Sequence, residues 1–171
     1  VFQLFYLNQF VINLYYFIQK DFIKKKNSKK YFFCFVNEKK HINHINEIIK
    51  KINYECIFIV QSINHRNRLN LKKHKSIILP PINIFDTSIF FDQNAVIKFY
   101  IKSITKLMDN LTPKFILTVE GDDPIAETLA QVAKNYNIKS ICLQWGIAPK
   151  KIPKISFMNM SYDYYISWGP L

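Results

Sequence analysis

Two rhythms of apolar residues alternate along this chain. Short, mostly apolar runs occupy residues 31–36 (YFFCFV), 55–60, 76–79, 115–119, 140–143 and 164–168 (YYISW). Each has the length of a strand, and 31–36 lacks any polar break, which is the mark of a strand covered on both faces of a parallel sheet. Between them the apolar residues return at helical spacing. Residues 41–52 carry Ile42, Ile45, Ile48, Ile49 and Ile52 on one side. Residues 93–111 carry Ala95, Val96, Phe99, Tyr100, Ile104, Leu107 and Met108. A third helix opens at Pro124 and carries Ile125, Ala126, Leu129, Ala130, Ala133 and Tyr136. Residues 64–75 are polar and basic and read as a helix or a long loop; 82–91 and 147–162 read as irregular. Strands alternating with helices predict an α/β fold, a Rossmann-like doubly wound parallel sheet in three α/β/α layers.

The segment 114–146 organises the rest. It reads as strand, loop, helix, strand, the parallel crossover unit. Asp123 is a good N-cap and Pro124 a good first helical residue, because proline lacks the N–H that would stand unpaired there. In open α/β sheets the loops at the carboxyl ends of the strands hold ligands. Here those loops hold Glu120, Asp122, Asp123, Gln144 and Trp145. Gly121, Gly146 and Gly169, the chain's three glycines, each follow a predicted strand, where a residue without Cβ allows a sharp turn.

Residues 1–19 are apolar but interrupted by Gln3, Asn8, Gln9 and Asn13. They match neither a transmembrane span nor a signal peptide. The expectation for 1–30 is an amphipathic helix and a lysine-rich linker (Lys20 to Lys30), either packed on the core or touching an anionic membrane surface. Residues 31–171 form the Rossmann-like domain. The formal charge of +12 is lopsided: residues 1–75 hold 15 Lys/Arg against 4 Asp/Glu, and residues 76–171 hold 9 against 8. A basic half attracts anionic lipid, nucleic acid or an anionic substrate, or is simply a solvated face. Cys34, Cys56 and Cys142 lie within apolar runs without metal-binding spacing, which suits buried free thiols in a reducing cytoplasm.

Candidate chemistry gathers at few positions. Glu120 and Asp122, with Asp123, form the one acidic cluster; a carboxylate in a pocket can remove a proton from a hydroxyl. Asp123 also reads as a helix cap and Asp122 as a turn former. His41 and His44, three apart at a helix start, are expected on one side, where helix N–H groups favour a phosphate or sugar; surface capping is the other reading. Gln144 and Trp145 could hold a sugar ring by amide and indole, or Trp145 could cover the sheet edge. No G-x-G-x-x-G, Walker A, G-x-S-x-G or HExxH pattern exists, which removes the dinucleotide, P-loop, hydrolase-elbow and zincin readings.

The run HINHINEIIKKI after a strand, then VEGDDPIAETLAQVAKNYNIKSICLQWG, then SYDYYISWGP, resembles the N-terminal domain of two-domain GT-B glycosyltransferases. The likeness is to bacterial surface-polysaccharide (capsular) enzymes and UDP-N-acetylglucosamine 2-epimerase-like proteins, over about residues 31–171. In such proteins an acidic strand end precedes a helix, the next strand ends in a Gln-His-Gly-like turn, and a later strand ends in Trp-Gly. Here the turn is Gln144-Trp145-Gly146, with Trp145 where histidine is common. The resemblance implies a cytoplasmic acceptor-side domain that binds a carbohydrate acceptor, with Glu120 or Asp122 as base and His41, His44, Asp123, Gln144, Trp145 and Gly146 near substrate. It implies no cofactor or metal in this chain, a nucleotide sugar as donor substrate bound by a missing second domain, and therefore a fragment. The alternatives are a non-catalytic basic module that binds anionic lipid or nucleic acid, and a sugar 2-epimerase-like domain. Of these partners, nucleic acid is the least expected.

Overall fold

The computed structural model describes residues 30–80, 94–119, 123–144 and 161–166. In chain order the elements are β1 (Tyr31–Phe35), α1 (Lys39–Lys51), β2 (Glu55–Val60), α2 (Ile63–Arg68), a 3₁₀ turn (Leu71–Lys73), β3 (Lys75–Ile78), α3 (Ala95–Asn110), β4 (Phe115–Val119), α4 (Pro124–Asn135), β5 (Lys139–Leu143) and β6 (Tyr164–Ile166). The six strands form one sheet in the order β3-β2-β1-β4-β5-β6. Every neighbouring pair is parallel. This is the Rossmann-like doubly wound arrangement expected from the alternation of apolar rhythms.

The alternation of side chains along each strand divides the core in two. Phe33, Phe35, Ile57, Ile59, Ile77 and Ile116 face the layer of α3 and α4, where they meet Ile104, Leu107, Met108, Ile125 and Leu129. Phe32, Cys34, Val36, Phe58, Val60, Leu117 and Val119 face the other layer, with Ile42 and Ile45 of α1 and Leu69 and Leu71 beyond α2. β1, and β2 from Cys56 onward, are apolar because both of their faces are covered. Phe32 stacks on Phe115 at 4.7 Å between ring centroids, which locks β1 to β4. Cys34, Cys56 and Cys142 are buried free thiols. Burial, with Cys34 beside it, pushes the Cys56 thiol far up, so it stays protonated and inert.

Local chemistry sets the helix ends. Asp123 caps α4: its Oδ1 accepts from the N–H groups of Ile125 (2.8 Å) and Ala126 (3.3 Å). At the far end Asn137 takes a left-handed conformation (φ 55). Ile138 N–H then donates to Ala133 O at 3.0 Å and Asn137 N–H to Lys134 O at 3.1 Å, a Schellman closure. Asn70 does the same after α2 at φ 58. Asparagine therefore takes the left-handed positions that glycine usually fills, in keeping with its tolerance of that region. The basic stretch 64–75 resolves into α2, the 3₁₀ turn and the first residue of β3. Ser62 Oγ caps α2 by accepting His65 N–H at 3.0 Å. α1 begins two residues before the predicted start, after Glu38 in extended conformation.

The expected amphipathic helix in 1–30, Gly121, Gly146, Gly169 and the end of the last predicted strand lie outside the described residues. Among the described residues no helix is long and apolar enough to cross a membrane.

Candidate functional site

The order of the strands makes β1 and β4 neighbours. After β1 the chain turns to α1 on one face, and after β4 it turns to α4 on the other. Between two such strands, at their carboxyl ends, lies the usual ligand crevice of open α/β sheets. Asn37 follows β1 and Asp123 follows β4. Their side chains meet across the crevice, with Asn37 Nδ2 donating to Asp123 Oδ2 at 2.7 Å. Asp123 is thus occupied at both oxygens, one by the start of α4 and one by Asn37. It is a latch holding the two sides of the crevice together, and its cap role takes precedence over a role as base.

The β1 side of the crevice is tethered from behind. His65 is buried at 4 % exposure. Its Nδ1 accepts Gln61 N–H at 3.2 Å. That leaves Nε2 as the protonated nitrogen, and it donates to Val36 O at 3.1 Å. Arg68 Nη2 donates to Asn37 O at 3.3 Å. Burial, and secondarily the Arg68 charge, lowers the His65 pKa; the Val36 bond and Asp123 oppose this. His65 is accordingly neutral at neutral pH, as its two hydrogen bonds require.

Two phenols stand near Asp123. The Tyr100 pKa is raised by burial and by the Asp123 charge. That of Tyr162 is raised by burial against the opposing effect of a hydrogen bond to Thr118, with Cys142, Glu127 and Asp123 adding to the rise. Both remain protonated and able to donate. The approach to β6 is fixed beside them. Asp163 Oδ2 accepts Ser140 N–H at 2.9 Å and Ser140 Oγ–H at 3.0 Å. Glu127 accepts Ser161 N–H at 3.1 and 3.2 Å.

The candidate residues fall as follows. Asp123 and Gln144 share the carboxyl edge, at the ends of adjacent strands; Gln144 N–H donates to Ile166 O at 2.9 Å and so extends the β5–β6 pairing. His41 and His44 lie in the first turns of α1, on the same edge of the sheet. Their burial differs. His41 is buried at 1 % exposure, while His44 is exposed. Residues three apart differ by about 60° around a helix, and the boundary of the core passes between them. Burial, with the Lys40 charge next, lowers the His41 pKa. Glu120, Asp122, Trp145 and Gly146 lie outside the described residues. Among the described residues no group of three or more His, Cys, Asp or Glu could hold a metal ion. The sequence reading missed Asn37 and His65. Asn37 had one usable signal, its position directly after the first strand; His65 had none, since its role depends on the fold bringing α2 beneath Val36.

The strength of the latch can be measured. Asp123→Ala is expected to cost about 1–2 kcal/mol, the value of a good N-cap together with one hydrogen bond. Asn37→Ala removes the crevice bond alone and is expected to cost about 0.5–1.5 kcal/mol. Urea unfolding of the single and double variants should show non-additivity, since the two residues share one bond; simple additivity would show that the 2.7 Å contact contributes nothing.

No family model matches the chain, and no curated protein matches its sequence. Solved structures do match in shape. MurG of Acinetobacter baumannii superposes at a TM-score of 0.59 with 9% identity, covering 82% of this chain and 42% of MurG. The GsuK RCK domain matches at 0.49 and 9% identity, over 82% of this chain and 26% of that one. A de novo designed protein of P-loop NTPase fold matches at 0.46 and 12% identity, over 81% of both chains. This chain therefore spans under half the length of the MurG structure it matches. At this identity the likeness concerns the fold: a Rossmann-like sheet similar to part of a GT-B-type glycosyltransferase.

Proposed function

We propose that this chain is the acceptor-side domain of a GT-B glycosyltransferase of surface polysaccharide synthesis. The observation that carries this reading is the Asn37–Asp123 bond joining the carboxyl ends of β1 and β4, where the strand order reverses, in a sheet with a GT-B-like fold. Asn37, Tyr100, Tyr162 and Gln144 supply amide and phenol groups along this rim, chemistry suited to sugar hydroxyls. The chain's division into a membrane-facing segment 1–30 and a sugar-binding domain 31–171, at the cytoplasmic face of a membrane, belongs to the same proposal.

In the proposed reaction a carboxylate takes the proton of an acceptor hydroxyl. The oxygen forms a bond to the anomeric carbon of a nucleotide sugar, and the bond from that carbon to the diphosphate breaks. With Asp123 committed to Asn37 and to the α4 cap, Glu120 or Asp122 is the base in this scheme. The nucleotide would be held by a second domain outside this chain.

Saturation-transfer NMR tests the assignment directly. The chain is mixed with UDP-glucose and, separately, with a maltooligosaccharide. Saturation of the oligosaccharide without saturation of the uracil ring is expected. Strong uracil saturation, or transfer of glucose by this chain alone, would overturn an acceptor-side role.

A further inference from the structure

A groove of about 550 Å³ lies on the α1 face of the sheet. Lys39, Asn43 and Asn46 of α1 line one side at helical spacing; Asn70, Lys73 and His74, around the 3₁₀ turn, line the other. Buried Leu69 forms part of its base. The His74 ring is held edge-on to Phe58 at 5.2 Å and 73°, which makes part of the wall rigid and flat.

The lining is cationic and amide-rich, and it contains no carboxylate. Lys40 also borders the groove, but its charge is offset by Glu38 at 2.7 Å. The attraction for an anion therefore comes from Lys39 on one wall and Lys73 on the other. Two ammonium groups facing one space favour a phosphate over a singly charged carboxylate. The three asparagines add a second requirement. Carboxamides both donate and accept, which suits hydroxyl groups and is redundant for a bare anion. The volume falls within the ordinary range for a small organic ligand, about 300–1,000 Å³. A lone phosphate would leave most of it to water.

We infer that the groove between α1 and the 3₁₀ turn is a binding site for a phosphorylated sugar, with Lys39 and Lys73 taking the phosphate and the asparagines the hydroxyls. This site does not depend on the sugar-transfer reading of the β1–β4 crevice.

The test is titration of the ¹⁵N-labelled chain with glucose 1-phosphate, inorganic phosphate and glucose at fixed ionic strength. Glucose 1-phosphate is expected to shift the amides of Asn43, Asn46 and Asn70 in a saturable way. Glucose at equal concentration should do little, and inorganic phosphate should bind more weakly. Lys39→Gln/Lys73→Gln, at two exposed positions, should retain the fold by circular dichroism and weaken glucose 1-phosphate by about tenfold or more, as expected for loss of two charge-assisted contacts. Asn43→Asp, which introduces a carboxylate, should weaken it too. Equal affinity for inorganic phosphate, shifts scattered over the basic surface, unchanged affinity in the double variant, or no saturable shift would each overturn the inference. Shifts by glucose 1-phosphate at this groove together with failure of the acceptor test would leave the site standing and remove only the transferase reading.

Discussion

Phe58→Ala is expected to destabilise the chain by about 3–5 kcal/mol. The residue is fully buried in β2, a strand paired on both sides by β1 and β3. Truncating it removes the transfer free energy of a phenyl ring and leaves a cavity between the sheet and the α1 layer. The strands on either side cannot close that space without breaking their hydrogen-bond register. The His74 ring, now edge-on to Phe58, would lose its support. For a domain stable by about 5–15 kcal/mol the loss is about a fifth of the total or more. Ile63→Ala is the comparison: Ile63 is 63% exposed, and its substitution is expected to stay within about 0.5 kcal/mol. Urea midpoints of both variants decide the matter. A Phe58→Ala change below about 1 kcal/mol would mean that the α1 layer collapses freely onto the sheet, contrary to native packing.

The same burial explains what the sequence made legible. Strands covered on both faces are apolar nearly throughout, so β2 and β4 were readable as 55–60 and 115–119, despite Glu55 at the start of one and buried Thr118 in the other. Asp123-Pro124 marked the start of α4 because a cap and a first-turn proline act locally. The 64–75 stretch was ambiguous for the opposite reason. α2 is six residues long, less than two turns, too short for a periodic pattern, and it is held by Ser62, by Asn70 in the left-handed region and by the docking of His65 under Val36. The site divided in the same way. That polar groups crowd the carboxyl edge follows from strand order alone. That Asp123 is already taken by Asn37, 86 positions away in sequence, depends on β1 and β4 being neighbours, and no local pattern carries that. His41 shows how fine the limit is: the periodicity placed Ile42 and Ile45 inward correctly, yet the edge of that buried stripe admits His41 and excludes His44.

Stability is expected to fall steeply as pH drops below about 6.5, the unperturbed histidine pKa. Three histidines have lowered pKa values, in each case with burial as the first cause: His41, His65 and His74. A lowered value means that the folded chain prefers neutral imidazole while the unfolded chain takes up a proton near the ordinary value. The stabilisation is then fully present above the unfolded pKa and is lost as pH falls toward and through the folded values. Each such group contributes a slope of at most about 1.4 kcal/mol per pH unit, so three give up to about 4 kcal/mol per pH unit between those limits. His65 resists protonation most specifically, because a proton on Nδ1 would confront the Gln61 N–H that it now accepts. Asp163 acts in a separate window. Its pKa is lowered, first by the Ser140 N–H and then by Lys139, so its contribution is present above about pH 3.9 and disappears only below it. Urea midpoints measured between pH 7.5 and 5 should therefore drop well before the carboxylates titrate. His65→Gln should be less stable than the parent at pH 7.5, since Gln cannot reproduce both ring contacts, but its midpoint should depend less on pH by about one proton's slope. A flat midpoint from pH 7.5 to 5, or an unchanged slope in His65→Gln, would show that these imidazoles are protonated within the fold and that His65 does not hold the Val36 carbonyl as a neutral donor.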